Sequence, residues 1–211
     1  MKIKLGILLI LMATCVQAAD QQWPIWEGWE LMGSGVSSVF SYELSGNEKS
    51  LVVATKGKAA ALRKEAEQPL TPDLELSWRW QVAEIPSTVA EDTKEDHHYF
   101  AVSVIFDNGK NLSYIWSAEL PKEYSFQCPL DDWKDKETHV VVESGTARLN
   151  QVLSYKRNIM ADYARFIGGK MPAKVSKVWI VVLATGGENG VKARITKLAI
   201  ESDKHAATGY L

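Results

Sequence analysis

From Leu74 to Val82 the chain alternates with a period of two: Leu74, Leu76, Trp78, Trp80 and Val82 on one side, Glu75, Ser77, Arg79 and Gln81 on the other. Successive side chains of a strand point to opposite faces, so the pattern predicts a strand with one buried face and one wet face. The buried face carries two indoles and needs a second layer to cover it. From His98 to Phe106 the same period places Phe100, Val102, Val104 and Phe106 together, and Leu112, Tyr114 and Trp116 alternate after Asp107-Asn108-Gly109-Lys110. That tetrapeptide is rich in residues that tolerate positive φ, so the two runs predict a hairpin.

Further strands are expected at Val36–Leu44, Ser50–Thr55, Ala59–Arg63, Thr138–Ser144, Val152–Lys156, Val175–Ala184 and Val191–Glu201, with a β-like run at Tyr124–Pro129. So many short strands at near-regular spacing predict an all-β fold, an antiparallel β-sandwich or jelly roll. One segment departs from it. Asn158 can cap a short helix in which Ile159, Asp162, Tyr163 and Phe166 recur at helical spacing, and Gly168-Gly169 can end it. The carboxylate-rich stretch Pro86–Asp96 reads as an exposed loop.

The first 18 residues have the pattern of a secretory signal: Lys2 and Lys4, an apolar run from Leu5 to Val16, and Val16-Gln17-Ala18 as a small-x-small cleavage site. An apolar run of about 12 residues is too short for a bilayer core of ~30 Å, so no integral membrane segment is expected after cleavage. The alternative is a lipid-modified Cys15, for which Thr14 is a poor preceding residue. The expected location is periplasmic or secreted, with residues 19–211 forming a single β-sandwich domain. Loss of Lys2 and Lys4 takes the formal net charge from −2 to about −4, which argues against nucleic acid as a partner. It also leaves Cys128 as the one cysteine, so the domain cannot be stapled by a disulfide. In a β-like run, a buried inert thiol is the simplest role for it.

Six stretches carry a family resemblance: Leu76-Ser77-Trp78-Arg79-Trp80, Glu95-Asp96 before a strand, Ser113-Tyr114-Ile115-Trp116, Val140–Gly145, Arg157-Asn158 with Asp162-Tyr163, and Phe166-Ile167-Gly168. In this order the chain resembles a family of secreted bacterial proteins known as domain of unknown function 3047. The resemblance implies a strand layout similar to jelly-roll carbohydrate-binding modules and implies no assigned activity. It also gives Arg79 more weight than its neighbours. Where an Asp-rich loop is expected, Thr185–Gly190 offers only Glu188 as an acidic oxygen donor.

Candidate ligand-binding residues are Arg79, Asp96, Arg157, Asp162 and Arg165. Arg79 projects from the wet face, where Ser103 and Ser113 can join it if the register allows, and its planar fork suits a carboxylate or a hydroxyl pair. Arg157, Asp162 and Arg165 gather near the helix start, with Asp96 a potential partner in a buried polar cluster. The simpler reading of the Arg157, Asp162 and Arg165 group is structural, a capped helix docked through hydrogen bonds, with a ligand site at the sandwich rim as the functional one. Trp23, Trp26 and Trp29 can form an exposed sugar-stacking platform or strap across the core. Asp96-His97-His98 concentrates metal-ligand types, but adjacent strand residues face opposite sides, and a hydrogen-bonded histidine at a strand entry is the expectation. No cofactor or resident metal is called for. No paired-carboxylate, nucleophile-elbow or phosphate-loop signature appears. The expected function is non-catalytic binding of a glycan or envelope component. The alternatives are a carbohydrate-active hydrolase or lyase, and an envelope protein–protein interaction module.

Overall fold

The computed structural model describes residues 28–33, 37–45, 47–185 and 189–202. The signal segment with Cys15, Trp23, Trp26, Glu188 and His205 lie outside the described residues. Among the described residues, twelve strands form two sheets: β1 (Trp29–Met32), β2 (Phe40–Ser45), β3 (Glu48–Thr55), β4 (Ala59–Pro69), β5 (Glu75–Glu84), β6 (Tyr99–Phe106), β7 (Asn111–Ser117), β8 (Ser125–Gln127), β9 (Glu137–Ser144), β10 (Val152–Asn158), β11 (Lys174–Leu183) and β12 (Val191–Glu201). Sheet A has the order β1-β4-β11-β6-β7-β9-β8 and sheet B the order β10-β5-β12-β3-β2. All pairings are antiparallel except β7 with β9, which are linked by the long segment 118–136 rather than a tight turn. The fold is an all-β sandwich, as the alternation predicts, and no described helix is long and apolar enough to cross a membrane.

The core between the sheets follows the alternation. Leu76, Trp78, Trp80 and Val82 are buried on β5 while Arg79 is exposed. Trp78 and Trp80 meet edge to face at 5.7 Å, and Trp80 packs against Phe100 and Trp116 of sheet A at 5.7 and 6.1 Å. These rings fill the space between layers with large apolar area in favoured offset geometries. Trp29 is also core, on β1. The β6–β7 hairpin turns as expected: the Phe106 amide donates to the Lys110 carbonyl at 2.9 Å, and Gly109 takes φ +79°.

Several boundaries differ from the sequence expectation. Residues 37–39 form a 3₁₀ turn before β2, because Val39 and Phe40 are both buried and neighbours on a strand cannot both face inward. β4 runs on to Pro69 through polar residues that ion-pair across to β11, Glu65 with Lys177 at 2.8 Å and Glu67 with Lys174. The helix is a single turn, α1 (Ile159–Asp162), continued by a π turn over Tyr163–Ile167. Asn158 caps it, its side chain accepting from the Ala161 amide at 2.8 Å, and Gly168 at φ +71° ends it. The stretch 86–96 is not simply exposed. Pro86, Ser87 and Glu91 are buried, because the Glu91 carboxylate accepts from the Ala118 amide at 2.7 Å and from the Ser117 hydroxyl.

Candidate functional site

At the helix, the structure brings together three of the five anticipated residues. Arg157 reaches Asp162 through two parallel bonds, Nε at 2.7 Å and Nη2 at 2.8 Å, and reaches Glu123 through Nη1 at 2.6 Å. Tyr114 donates to Asp162 at 2.9 Å, and Arg165 donates to Glu123 at 2.7 Å. Hydrogen bonds from Arg157, then the charges of Arg157 and Arg165, hold the Glu123 carboxyl below its ordinary pKa against the opposing cost of burial. Asp96 has no place in this cluster. It is exposed at a turn where its amide donates to Thr93 Oγ1 at 3.1 Å; Glu123, in the segment after β7, holds the position expected for it. Arg79 stands alone of the five on the outer face of sheet B, opposite Ser154 and Thr196.

Ser103 and Ser113 do not join Arg79. They are a cross-strand pair on sheet A, buried and hydrogen-bonded to each other at 2.7 Å, and their side chains face away from the core. That outer face of sheet A is covered rather than solvated: every residue of β7 is buried, and so is every residue of β9 up to Glu143. The segment 118–136 folds back over it, packing Leu120 and Phe126 on a second apolar cluster of Tyr99, Ala101, Ile115 and Val141.

Between this cover and the far side of the sheet lies a cleft of about 330 Å³. Tyr99, Trp133 and Trp179 give it aromatic walls, and Ser103, Asn111 and Glu137 its polar groups. Glu137 is buried and accepts from the Ser113 hydroxyl, with the Tyr99 hydroxyl at 3.5 Å; burial raises its carboxyl above the ordinary range. Two polar atoms of lining residues are enclosed beneath the cleft surface without a hydrogen-bond partner: Trp179 Nε1, a donor, and Asn111 Oδ1, an acceptor. Trp133 projects at the rim, 38% exposed, with the Lys136 ammonium 5.7 Å from its ring centroid. Sequence reasoning missed the cleft. The available trace was the second face of the β6 run, Tyr99, Ala101, Ser103 and Ile105, too apolar for a solvated surface.

Beside Glu137, under the same cover, sit His97, Cys128 and His139, all buried. His97 Nδ1 donates to the Glu91 carbonyl at 2.7 Å, and its Nε2 lies 3.3 Å from Cys128 Sγ. The hydrogen-bonded histidine expected at the strand entry is thus His97. His139 stacks on Phe126 at 4.8 Å and 14°, yet neither ring nitrogen has a hydrogen-bond partner. Burial lowers both imidazoles, His97 to about 4 and His139 to about 3, and pushes the Cys128 thiol up to about 12. The imidazoles are therefore neutral at pH 7, and His139 faces Glu137, 3.7 Å away, without forming an ion pair.

Comparison with solved structures finds similarity to the xyloglucanase domain of NopAA, a type three effector from Sinorhizobium fredii solved with cellobiose: 14% identity, 83% of this chain and 87% of that chain covered, TM-score 0.45. A family 12 xyloglucanase from Bacillus licheniformis matches at 10% identity, 87% and 89% coverage and TM-score 0.43. A CBM28 module specific for non-crystalline cellulose matches at 14%, 83% and 88%, and 0.42. No curated protein matches the sequence. The model of the family described as protein of unknown function (DUF3047) matches residues 24–198, and the chain belongs to that family.

Proposed function

We propose that the chain is a periplasmic or secreted protein that binds a glycan in the cleft on the outer face of sheet A. The observation that carries this is the pairing of aromatic walls with polar side chains in one cleft: Tyr99, Trp133 and Trp179 beside Ser103, Asn111 and Glu137. A pyranose presents an apolar C–H face to an indole and hydroxyls that both donate and accept, so one sugar ring can engage both.

Binding without turnover is favoured by the carboxylate count. Glycoside hydrolysis needs two carboxyl groups facing each other at ~5–9.5 Å, and Glu137 is the only acidic residue among the described residues that line the cleft. The test is a glycan array probed with the purified mature chain, with reducing-sugar release measured on every hit. Binding that falls about tenfold or more in Trp179→Ala, with no product formed, is the expected result. Product formation abolished by Glu137→Gln would replace binding with hydrolysis, and no hit on any glycan would reject the proposal.

A further inference from the structure

We propose that His97, Cys128 and His139 form a binding site for a thiophilic d¹⁰ metal ion, Zn(II) or Cu(I), next to the glycan cleft. Their ligand atoms all lie within 4.8 Å of one another, and the closest pair, His97 Nε2 and Cys128 Sγ, is at 3.3 Å. Around a tetrahedral zinc with bonds of about 2.0–2.3 Å, neighbouring donor atoms stand roughly 3.3–3.6 Å apart. A contraction of roughly 1.2–1.5 Å in the widest pair, from 4.8 Å, would therefore close the set on an ion.

The protonation pattern is that of a ligand site. The bond from His97 Nδ1 to the Glu91 carbonyl fixes the tautomer, leaving the Nε2 lone pair directed at Cys128; a backbone acceptor behind a ligating imidazole is the usual orienting contact. Glu91 is held in turn by Ser117 and the Ala118 amide. His139 supplies the second, independent observation: it is fully buried, at 0% exposure, with neither ring nitrogen hydrogen-bonded. Stacking on Phe126 accounts for its ring and not for its nitrogens, and buried polar atoms in native proteins are almost always paired. A metal bond satisfies one nitrogen. Glu137 Oε2 lies 3.7 Å from Nε2, so with the ion on Nδ1 a small shift would make it the orienting acceptor behind the ring.

Two imidazoles and a thiol select the ion class. Thiolate favours zinc and copper(I), whereas calcium and magnesium require hard oxygen donors. Binding displaces the Cys128 thiol proton to solvent, and the ion's charge gives the buried thiolate the partner it otherwise lacks. The three ligands come from the entry to β6, the residue after β8, and β9, so an occupied site would pin the cover segment to the sheet beside the cleft.

The test loads chelator-stripped protein with Zn(II), or with Cu(I) under anaerobic conditions, desalts it, and measures bound metal by mass spectrometry. About one equivalent of one of these ions per chain is expected, with Ca(II) and Mg(II) not retained, and a tenfold or greater loss of retention in Cys128→Ser and in His139→Asn. Co(II)-loaded wild-type protein should show a thiolate-to-metal charge-transfer band, which decides the matter if either variant fails to fold. Substoichiometric retention of both Zn(II) and Cu(I) by the wild type, retention unchanged in both variants, or, for protein that retains Zn(II), absence of the cobalt–thiolate band would overturn the site. Glycan binding, present or absent, does not enter this readout.

Discussion

Arg79 and Trp80 are neighbours in sequence and lie on opposite sides of sheet B, one exposed and one in contact with Phe100, Trp116 and Tyr155. Trp80→Ala removes a ring from between the layers and should cost ~3–5 kcal/mol in chemical denaturation, while Arg79→Ala should stay within about 0.5 kcal/mol. Equal losses would mean that the strand is shifted by one residue, which exchanges its two faces. At this scale the period-two pattern was enough to sort core from surface on β5. It was not enough on β6 and β7. Ser103 and Ser113 look like wet-face residues in sequence, and only the segment that returns over sheet A makes them buried. The histidines show the same limit: His97 and His139 are 42 positions apart, and nothing local marks them as neighbours.

The short helix is docked by charge. Asp162 receives two bonds from Arg157 and one from Tyr114, which tie α1 to β10 of sheet B and β7 of sheet A. Asp162→Asn leaves the Arg157 guanidinium half-paired in a mostly buried setting and should cost ~3 kcal/mol, lowering the melting temperature without changing affinity for a glycan in the cleft. A drop in affinity with stability intact would instead make the cluster a ligand site. Glu123 adds a pH dependence. Its folded pKa lies below the unfolded value, so its contribution is complete above the unfolded carboxylate pKa and is lost as pH falls through the lowered folded one. Acid unfolding should therefore begin at higher pH in the wild type than its neutral-pH stability alone suggests, and Glu123→Gln should flatten that slope while lowering stability at pH 7. The helix and its cap were legible from Asn158 and Gly168. The role of Glu123 was not, because it arrives from an irregular segment that carries no periodicity, and β8, at three residues, is too short to show any.

Over the whole molecule, strand alternation led to the two-sheet sandwich, while the cleft depended on long-range cover that no local pattern encodes. The same pattern explains the misplaced expectation for Asp96, since a carboxylate beside a strand says nothing about which arginine lies nearby. If the mature protein works outside the cytoplasm, as the first 18 residues predict, intact-mass analysis of secreted or periplasmic material should find a chain starting at Ala19; a lipid-modified chain starting at Cys15 would place it on a membrane instead. A crystal structure of the chain with its best-binding oligosaccharide should show a pyranose ring against Trp179 on the outer face of sheet A, with hydroxyls on the Asn111 and Glu137 side chains; a sugar found beside Arg79 on sheet B or in the Arg157–Asp162 cluster would contradict binding in the cleft.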